Sequence, residues 1–188
     1  MFKVLIILFI IIFNSPVLSS TKEMIISQMQ LTDNLSFNFI QTIDNKNEDG
    51  KCIIKYPKKI WCEYNNSNKK IIVSNGKSLV IKTRNKGSYY IYPLNKTPLV
   101  FLLDKEYLIS KMRTLEPREI DNKYLNFTFF ENNNKINIFF DKLNLTLVGW
   151  QTEDIYQNLI ITFISSVKTN KEIDDRIFVL PKNKYLSN

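Results

Sequence analysis

The chain has 188 residues and no histidine, which removes every Ser-His or Cys-His dyad and the commonest metal-binding side chain. Its formal charge of +8 comes from lysines scattered among asparagines, with no single basic block, so nothing in it calls for a nucleic-acid partner. Only Cys52 and Cys62 offer thiols, too few for a zinc quartet.

Lys3, the apolar run Val4 to Phe13 and the segment Pro16-Val17-Leu18-Ser19 read as an export signal over residues 1–19. The apolar run is about half of the roughly 20 residues that span a bilayer, which sets cleavage ahead of the alternative, an uncleaved anchor. Cleavage starts the mature protein near Ser20 and leaves residues 20–188 as one domain, enough to bury a sizeable core. No cysteine closes the signal, so a lipid-modified cysteine is not expected there. In an exported protein the even pair Cys52 and Cys62 points to a disulfide, with two free buried thiols as the alternative.

Ser20-Thr21-Lys22-Glu23 has the form of a capping box ahead of Ile25, Ile26, Met29 and Leu35, which predicts an N-terminal helix. From Phe37 the period changes to two, with Phe37, Phe39, Gln41 and Ile43 on one face, and the cluster Asn45 to Gly50 turns the chain. Hairpins follow: Lys51 to Tyr56 and Lys59 to Tyr64 flank Pro57, Lys70 to Ser74 and Ser78 to Thr83 flank Asn75-Gly76, and Ser88 to Tyr92 follows Lys86-Gly87. Within Pro93 to Lys111, Thr97 is a candidate cap, Pro98 suits a first helical position, and Leu99, Leu102, Leu103, Tyr107 and Leu108 recur at helical spacing. A second helix is expected there.

After Pro117 the alternation returns in Leu125, Phe127 and Phe129, then Ile136, Ile138 and Phe140, then Leu143, Leu145 and Leu147. Asn132-Asn133-Asn134 and Asp141-Lys142 supply turns, Trp150 to Asp154 and Tyr156 to Val167 add strands, and Phe178 to Pro181 reads as a short terminal edge. The expected fold is mainly β: a half-open antiparallel barrel of about ten or eleven strands with helical insertions. Triplets such as Asn126-Phe127-Thr128 and Asn144-Leu145-Thr146 match a glycosylation acceptor, but so many asparagines produce them by chance.

Several spaced motifs resemble those of the LolA family of periplasmic outer-membrane lipoprotein carriers. Phe39-Ile40-Gln41 is similar to the family's Phe-x-Gln, and Gly50 followed by Lys55-Tyr56-Pro57 is similar to its glycine, short strand and basic-Pro turn. Val73-Ser74-Asn75-Gly76-Lys77 resembles its Val-Ser-Asp-Gly-Lys hairpin, and Asn95-Lys96-Thr97-Pro98-Leu99 the Asn-Thr-Pro start of its central helix. Gly149-Trp150 with Asp154, and Phe178 with Pro181, look like its last strands. The order of these matches across the mature chain is the specific part.

The resemblance implies a periplasmic, non-enzymatic carrier that needs no cofactor and no metal. It would hold the acyl chains of lipoproteins in a hydrophobic cavity and carry them from the inner to the outer membrane. Acylated lipoproteins are the expected cargo, loaded by an inner-membrane lipoprotein-releasing ABC transporter and passed to an outer-membrane receptor where one exists, and the carrier itself is expected to be a monomer. Candidate lining residues are Trp61, Tyr90, Leu125, Phe127, Phe129, Ile136, Ile138, Phe140, Leu145, Leu147 and Trp150, and ordinary core packing is the alternative for each. The lid would use Met29 and Leu35 on the first helix with Leu99, Leu102 and Leu103 on the second.

Two departures stand out. The family's basic-Pro turn commonly carries an arginine directly before the proline, implied to hold the lid closed, whereas this chain has Tyr56; Tyr56 and Lys55 become the latch candidates, with Lys58 as another substitute. Cys52 and Cys62 stand where the family keeps apolar side chains, symmetrically about Pro57, so a hairpin centred there sets them face to face. Two rival functions remain open at this level: a hydrolase using Glu153 and Asp154 or Asp174 and Asp175, and a lipid-binding or lipoprotein-sensing protein on the same fold with different cargo.

Overall fold

The computed structural model describes residues 20–182 except 67, 84–86, 133 and 155–156. The expected export signal lies outside the described residues, as do Lys86, Asn133 and Tyr156 of the expected turns and strand. Among the described residues no helix is long and apolar enough to cross a membrane.

Helix α1 runs over Thr21–Gln30, opened by the Ser20 hydroxyl, which accepts the Glu23 N–H at 3.3 Å. It buries Ile25 and Ile26 and ends before Thr32. Leu35, expected on this helix, begins the sheet instead, because Asn34 already starts strand β1 (Asn34–Ile43) and the inward face reads Leu35, Phe37, Phe39. The next turn is also tighter than expected: only Asp44 and Asn45 take positive φ, at 47° and 61°, and β2 starts at once (Lys46–Lys55). Paired positive-φ residues of this type match the twist of the flanking strands, so the polar cluster to Gly50 extends the strand.

Strands β3 (Lys59–Tyr64), β4 (Lys70–Asn75), β5 (Ser78–Thr83) and β6 (Tyr89–Pro93) continue the meander. The chain then crosses through a 3-10 turn at Leu94–Lys96 into two helices, α2 (Leu99–Leu103) and α3 (Lys105–Thr114), where one was expected. The break is at Asp104, whose extended backbone lets its carboxylate accept the Tyr107 N–H and cap α3. Thr97 is not the cap of α2; its hydroxyl donates to the Leu94 carbonyl, and Pro98 occupies the cap position.

Strands β7 (Arg118–Ile120), β8 (Tyr124–Glu131), β9 (Asn134–Asp141), β10 (Leu147–Glu153) and β11 (Leu159–Thr169) complete one antiparallel sheet of 11 strands. Its order is β6-β5-β4-β3-β2-β1-β11-β10-β9-β8-β7, so β1 and β11 meet in the middle and the sheet does not close. Leu143 and Leu145 belong to the loop before β10, with Leu143 88% exposed, because the Asp141 carboxylate accepts the Leu143 and Asn144 N–H groups and holds a turn there. The expected terminal edge strand is a 3-10 helix at Asp175–Phe178, which places Phe178, 2% exposed, against the outer face of β3 and β4.

Alternation assigns the inner face. Leu35, Phe37, Phe39, Gln41 and Ile43 on β1 lie opposite Ile54, Cys52, Gly50, Glu48 and Lys46 on β2, and Cys52 in turn faces Cys62 on β3. At Gly50 an added Cβ would come within 2.2 Å of the Glu63 carbonyl and 3.0 Å of the Phe39 ring, so only glycine allows β2 and β3 to approach there. Gly149 has the same role on β10, where a Cβ would meet the Thr162 carbonyl at 2.3 Å beside a register shift.

Candidate functional site: a divided apolar hollow

The two halves of the sheet are filled differently. On β8 and β9, Phe127 pairs with Ile138, Leu125 with Phe140, and Phe129 with Ile136. Phe127 and Phe140 stack edge to face at 5.9 Å and share one buried core with Ile25 and Ile26 of α1 and Leu108, Ile109 and Met112 of α3. Phe127, Phe129 and Ile136 belong to closed core, and Leu125 borders only a recess beside Ser20 and Glu116, away from the lid. On β2 and β3 the inner positions include Cys52 and Cys62, too small to meet the helices across the gap.

A hollow of about 300 Å³ results, lined by inner-face residues of β1 to β6, β10 and β11 and closed on one side by Pro98 and Leu99. Its wall is mostly aliphatic and aromatic, including Phe39, Ile60, Ile72, Leu79 and Tyr92, with the Cys52–Cys62 disulfide (S–S 1.99 Å) set into it. A smaller void of about 50 Å³ lies beneath the lid between Met29, Leu35, Leu102, Ile138, Phe140 and Leu147. Tyr56 and Leu145 also border this void. Trp150 borders both spaces and packs edge to face on Phe37 at 6.1 Å, so its indole partitions them.

The structure therefore brings Ile138, Phe140, Leu145, Leu147 and Trp150 to the voids, with Met29, Leu35, Leu99 and Leu102 of the lid set; Leu103 is fully buried behind them. Two candidates are elsewhere. Trp61 points to the outer face, since Ile60, Cys62 and Tyr64 take the inward positions of β3, and Lys51 lies 5.7 Å over its ring. Tyr90 shares the inner face with its partner Ile81 but stands at the free edge of the sheet, 53% exposed and clear of the hollow. The wall of the larger hollow was missed on β1 to β5; the register of the two cysteines, which face inward, was the signal that could have found it.

The lid is held by charge at three places. Lys105 on α3 donates to the carbonyl of Gln30, the last residue of α1, at 3.1 Å and to that of Thr32 just beyond it at 3.0 Å, joining the two helices. On the far side the Tyr107 hydroxyl donates to Glu131 at 2.5 Å, Lys111 reaches the same carboxylate at 3.0 Å, and these bonds hold Glu131 below the usual carboxylate range. At the β2–β3 turn, the Lys58 N–H donates to the Leu103 carbonyl at 2.8 Å and its ammonium pairs with Asp104 at 3.0 Å.

The latch candidates divide accordingly. Lys55 is turned away from the lid to Asp175, 2.9 Å distant on the C-terminal 3-10 helix. Tyr56 borders the small void, where burial pushes its hydroxyl pKa up, and Lys105 sits 5.8 Å over its ring. The ion pair to the lid comes from Lys58, because the turn at Pro57 brings this residue, not Lys55, beneath the junction of α2 and α3. Among the described residues no group of three or more His, Cys, Asp or Glu side chains could hold a metal ion.

A LolA superfamily protein from Nitrosomonas europaea superposes with a TM-score of 0.47 at 11% identity, covering 86% of this chain and 99% of its own. An uncharacterized conserved protein from Thermus thermophilus superposes with a TM-score of 0.52 at 7% identity, covering 87% of this chain and 96% of its own, and shares the fold. No curated protein matches the sequence. The family described as outer membrane lipoprotein carrier protein LolA matches residues 22–181, and over that span of curled sheet and helical lid the chain belongs to the LolA family.

Proposed function

We propose that the protein is a periplasmic carrier that shelters the acyl chains of lipoproteins on their way from the inner to the outer membrane. The observation that carries this reading is the hollow of about 300 Å³ between the β1–β6 wall and α2, with an apolar wall and a size within the range of small-molecule sites. Each methylene moved from water into such a space gains roughly 0.8 kcal/mol, so a single saturated chain supplies ample driving force without a cofactor.

The lid sets how tightly the cargo is held. Leu99 and Leu102 border the two voids, so a guest that enlarges the space displaces their contacts and the affinity is the difference between two apolar packings. Methionine suits such a boundary because its thioether repacks readily, and Met29 lies there. Loading by a membrane transporter and transfer to a receptor complete the cycle.

The test is depletion in the source cell combined with mass spectrometry of material that co-purifies with the exported protein. Acylated proteins in the complex, and lipoproteins retained at the inner membrane on depletion, are the expected results. Normal lipoprotein delivery without the protein ends the transport reading, and free lipid in the hollow in place of acylated protein redirects it to a lipid-binding role.

A further inference from the structure

The larger hollow is not uniformly apolar. On its wall Gln41 donates its amide to the Thr162 hydroxyl at 3.1 Å, and the Tyr64 hydroxyl donates to the Gln41 carbonyl oxygen at 3.0 Å. Thr162 is 2% exposed and Tyr64 3%, and all three border the space. Gln41 and Thr162 are register partners across β1 and β11, one inward row from Ile43 and Ile160 at the strand ends. The cluster thus sits just inside one end of the hollow, and the aliphatic wall of Ile60, Leu79 and Leu99 continues beyond it.

Hydrogen-bond bookkeeping leaves capacity facing inward. An amide carries two N–H donors and Gln41 spends one on Thr162; the threonine oxygen accepts that bond and keeps its own O–H to donate. The preferred guest for two donors side by side is a carbonyl oxygen. Charge points the same way. Lys70 is the one cation bordering the hollow among the described residues; its ammonium is paired with Glu48 and lies 3.8 Å over the Tyr64 ring. Glu153 borders the same end. An ionised carboxylate or phosphate would meet the Glu153 carboxylate with the one lysine already neutralised, whereas a neutral ester or amide carries no such penalty.

We infer that Gln41 and Thr162, braced by Tyr64, form a subsite for the neutral carbonyl of an ester- or amide-linked acyl chain, so that the protein selects acyl esters over ionised fatty acids. This rests on the acyl-chain reading and names the head group that the same hollow recognises. Burial raises the Tyr64 hydroxyl pKa above its ordinary value, which keeps it a neutral donor that fixes the Gln41 amide in one orientation.

The experiment is calorimetric titration of the full exported protein with three probes of one chain length: monolauroylglycerol, its ether analogue dodecylglycerol, and laurate. The ester differs from the ether only in its carbonyl. The wild type is expected to bind the ester about tenfold more tightly than the ether, the worth of one or two neutral hydrogen bonds, and laurate more weakly than the ester. In Thr162→Val, which keeps the side-chain shape, and in Gln41→Leu the ester-to-ether ratio is expected to fall to about one, while Tyr64→Phe reduces it partly. A ratio near one in the wild type, a ratio unchanged in the folded Thr162→Val protein, or laurate binding as tightly as the ester overturns the subsite and leaves the carrier reading standing. Failure of all three probes to bind overturns the acyl-chain reading itself, and the subsite with it.

Discussion

Lys58 and Asp104 form a 3.0 Å ion pair that ties the β2–β3 turn to the break between the two mid-chain helices. The pair is partly exposed, so its net worth is about 1 kcal/mol or less, and the Lys58 backbone bond to Leu103 survives a side-chain change. Lys58→Met should therefore raise hydrogen exchange across α2 and the first turn of α3 by at most about fivefold, with the sheet unaffected. Exchange in α2 that stays at the wild-type rate would show that the ion pair does not hold the lid.

The disulfide links directly opposed residues of β2 and β3 and closes a sequence separation of 10 residues. A loop of that size predicts a loss of about 2–3 kcal/mol when Cys52 and Cys62 are both replaced by alanine. Urea unfolding of the double variant against the oxidised wild type measures it. A loss below about 0.5 kcal/mol would place the stabilisation of this hairpin in its neighbours.

Much of this hairpin was legible in the sequence because the cysteines and Pro57 mark its centre, and Cys52 does face Cys62. The strands were legible for a similar reason: alternation in segments such as Phe127-Thr128-Phe129 declares a half-buried sheet. Where the hollow lies was not legible. Phe127 and Phe129 look like ideal lining by composition, yet bulky side chains fill space, and the hollow forms against Cys52 and Cys62, whose smallness leaves it open. Trp61 was misplaced for a simpler reason, since two-residue periodicity fixes which positions share a face but not which face is inside.

Gly50 allows the approach of β2 to β3 beside Phe39, a wall residue of the larger hollow. In Gly50→Ala the new methyl would press on the Glu63 carbonyl, a backbone atom that cannot swing aside, so the expected cost is about 3 kcal/mol or more. Thermal melting compared with an outer-face control such as Asn47→Ala tests this. Equal melting temperatures would mean that the two strands separate easily and that the wall is softer than its packing implies.

Acid should loosen one tie of the lid late. The Tyr107 hydroxyl and Lys111 hold Glu131 below the usual carboxylate range, so its contribution is present above the unfolded-state value and is lost as pH falls through the depressed folded-state value. The Glu131 tie to α3 is thus expected to persist through the ordinary glutamate range near pH ~4.3 and to be lost only below it. In Glu131→Gln the acid-side step should shrink or vanish, followed by exchange of α3 amides against pH. An unaltered step in that variant would assign the acid response to another group.

Trp150 is the partition whose removal should change what fits. Its indole borders both the hollow of about 300 Å³ and the void of about 50 Å³, and its contact with Phe37 fixes it between them. Trp150→Ala should merge the two spaces at a stability cost of about 3–5 kcal/mol, and Trp150→Leu should do so in part at a smaller cost. The enlarged space favours guests with more than one chain, so the affinity for dilauroylglycerol relative to monolauroylglycerol should rise in both variants, more in the alanine one. Trp61 remains on the outer face as a fluorescent monitor of folding, which separates a reshaped hollow from an unfolded protein. A relative affinity that stays constant in folded variants would mean that the guest never reaches the small void, and the lid would then close over cargo held wholly between the β1–β6 wall and α2.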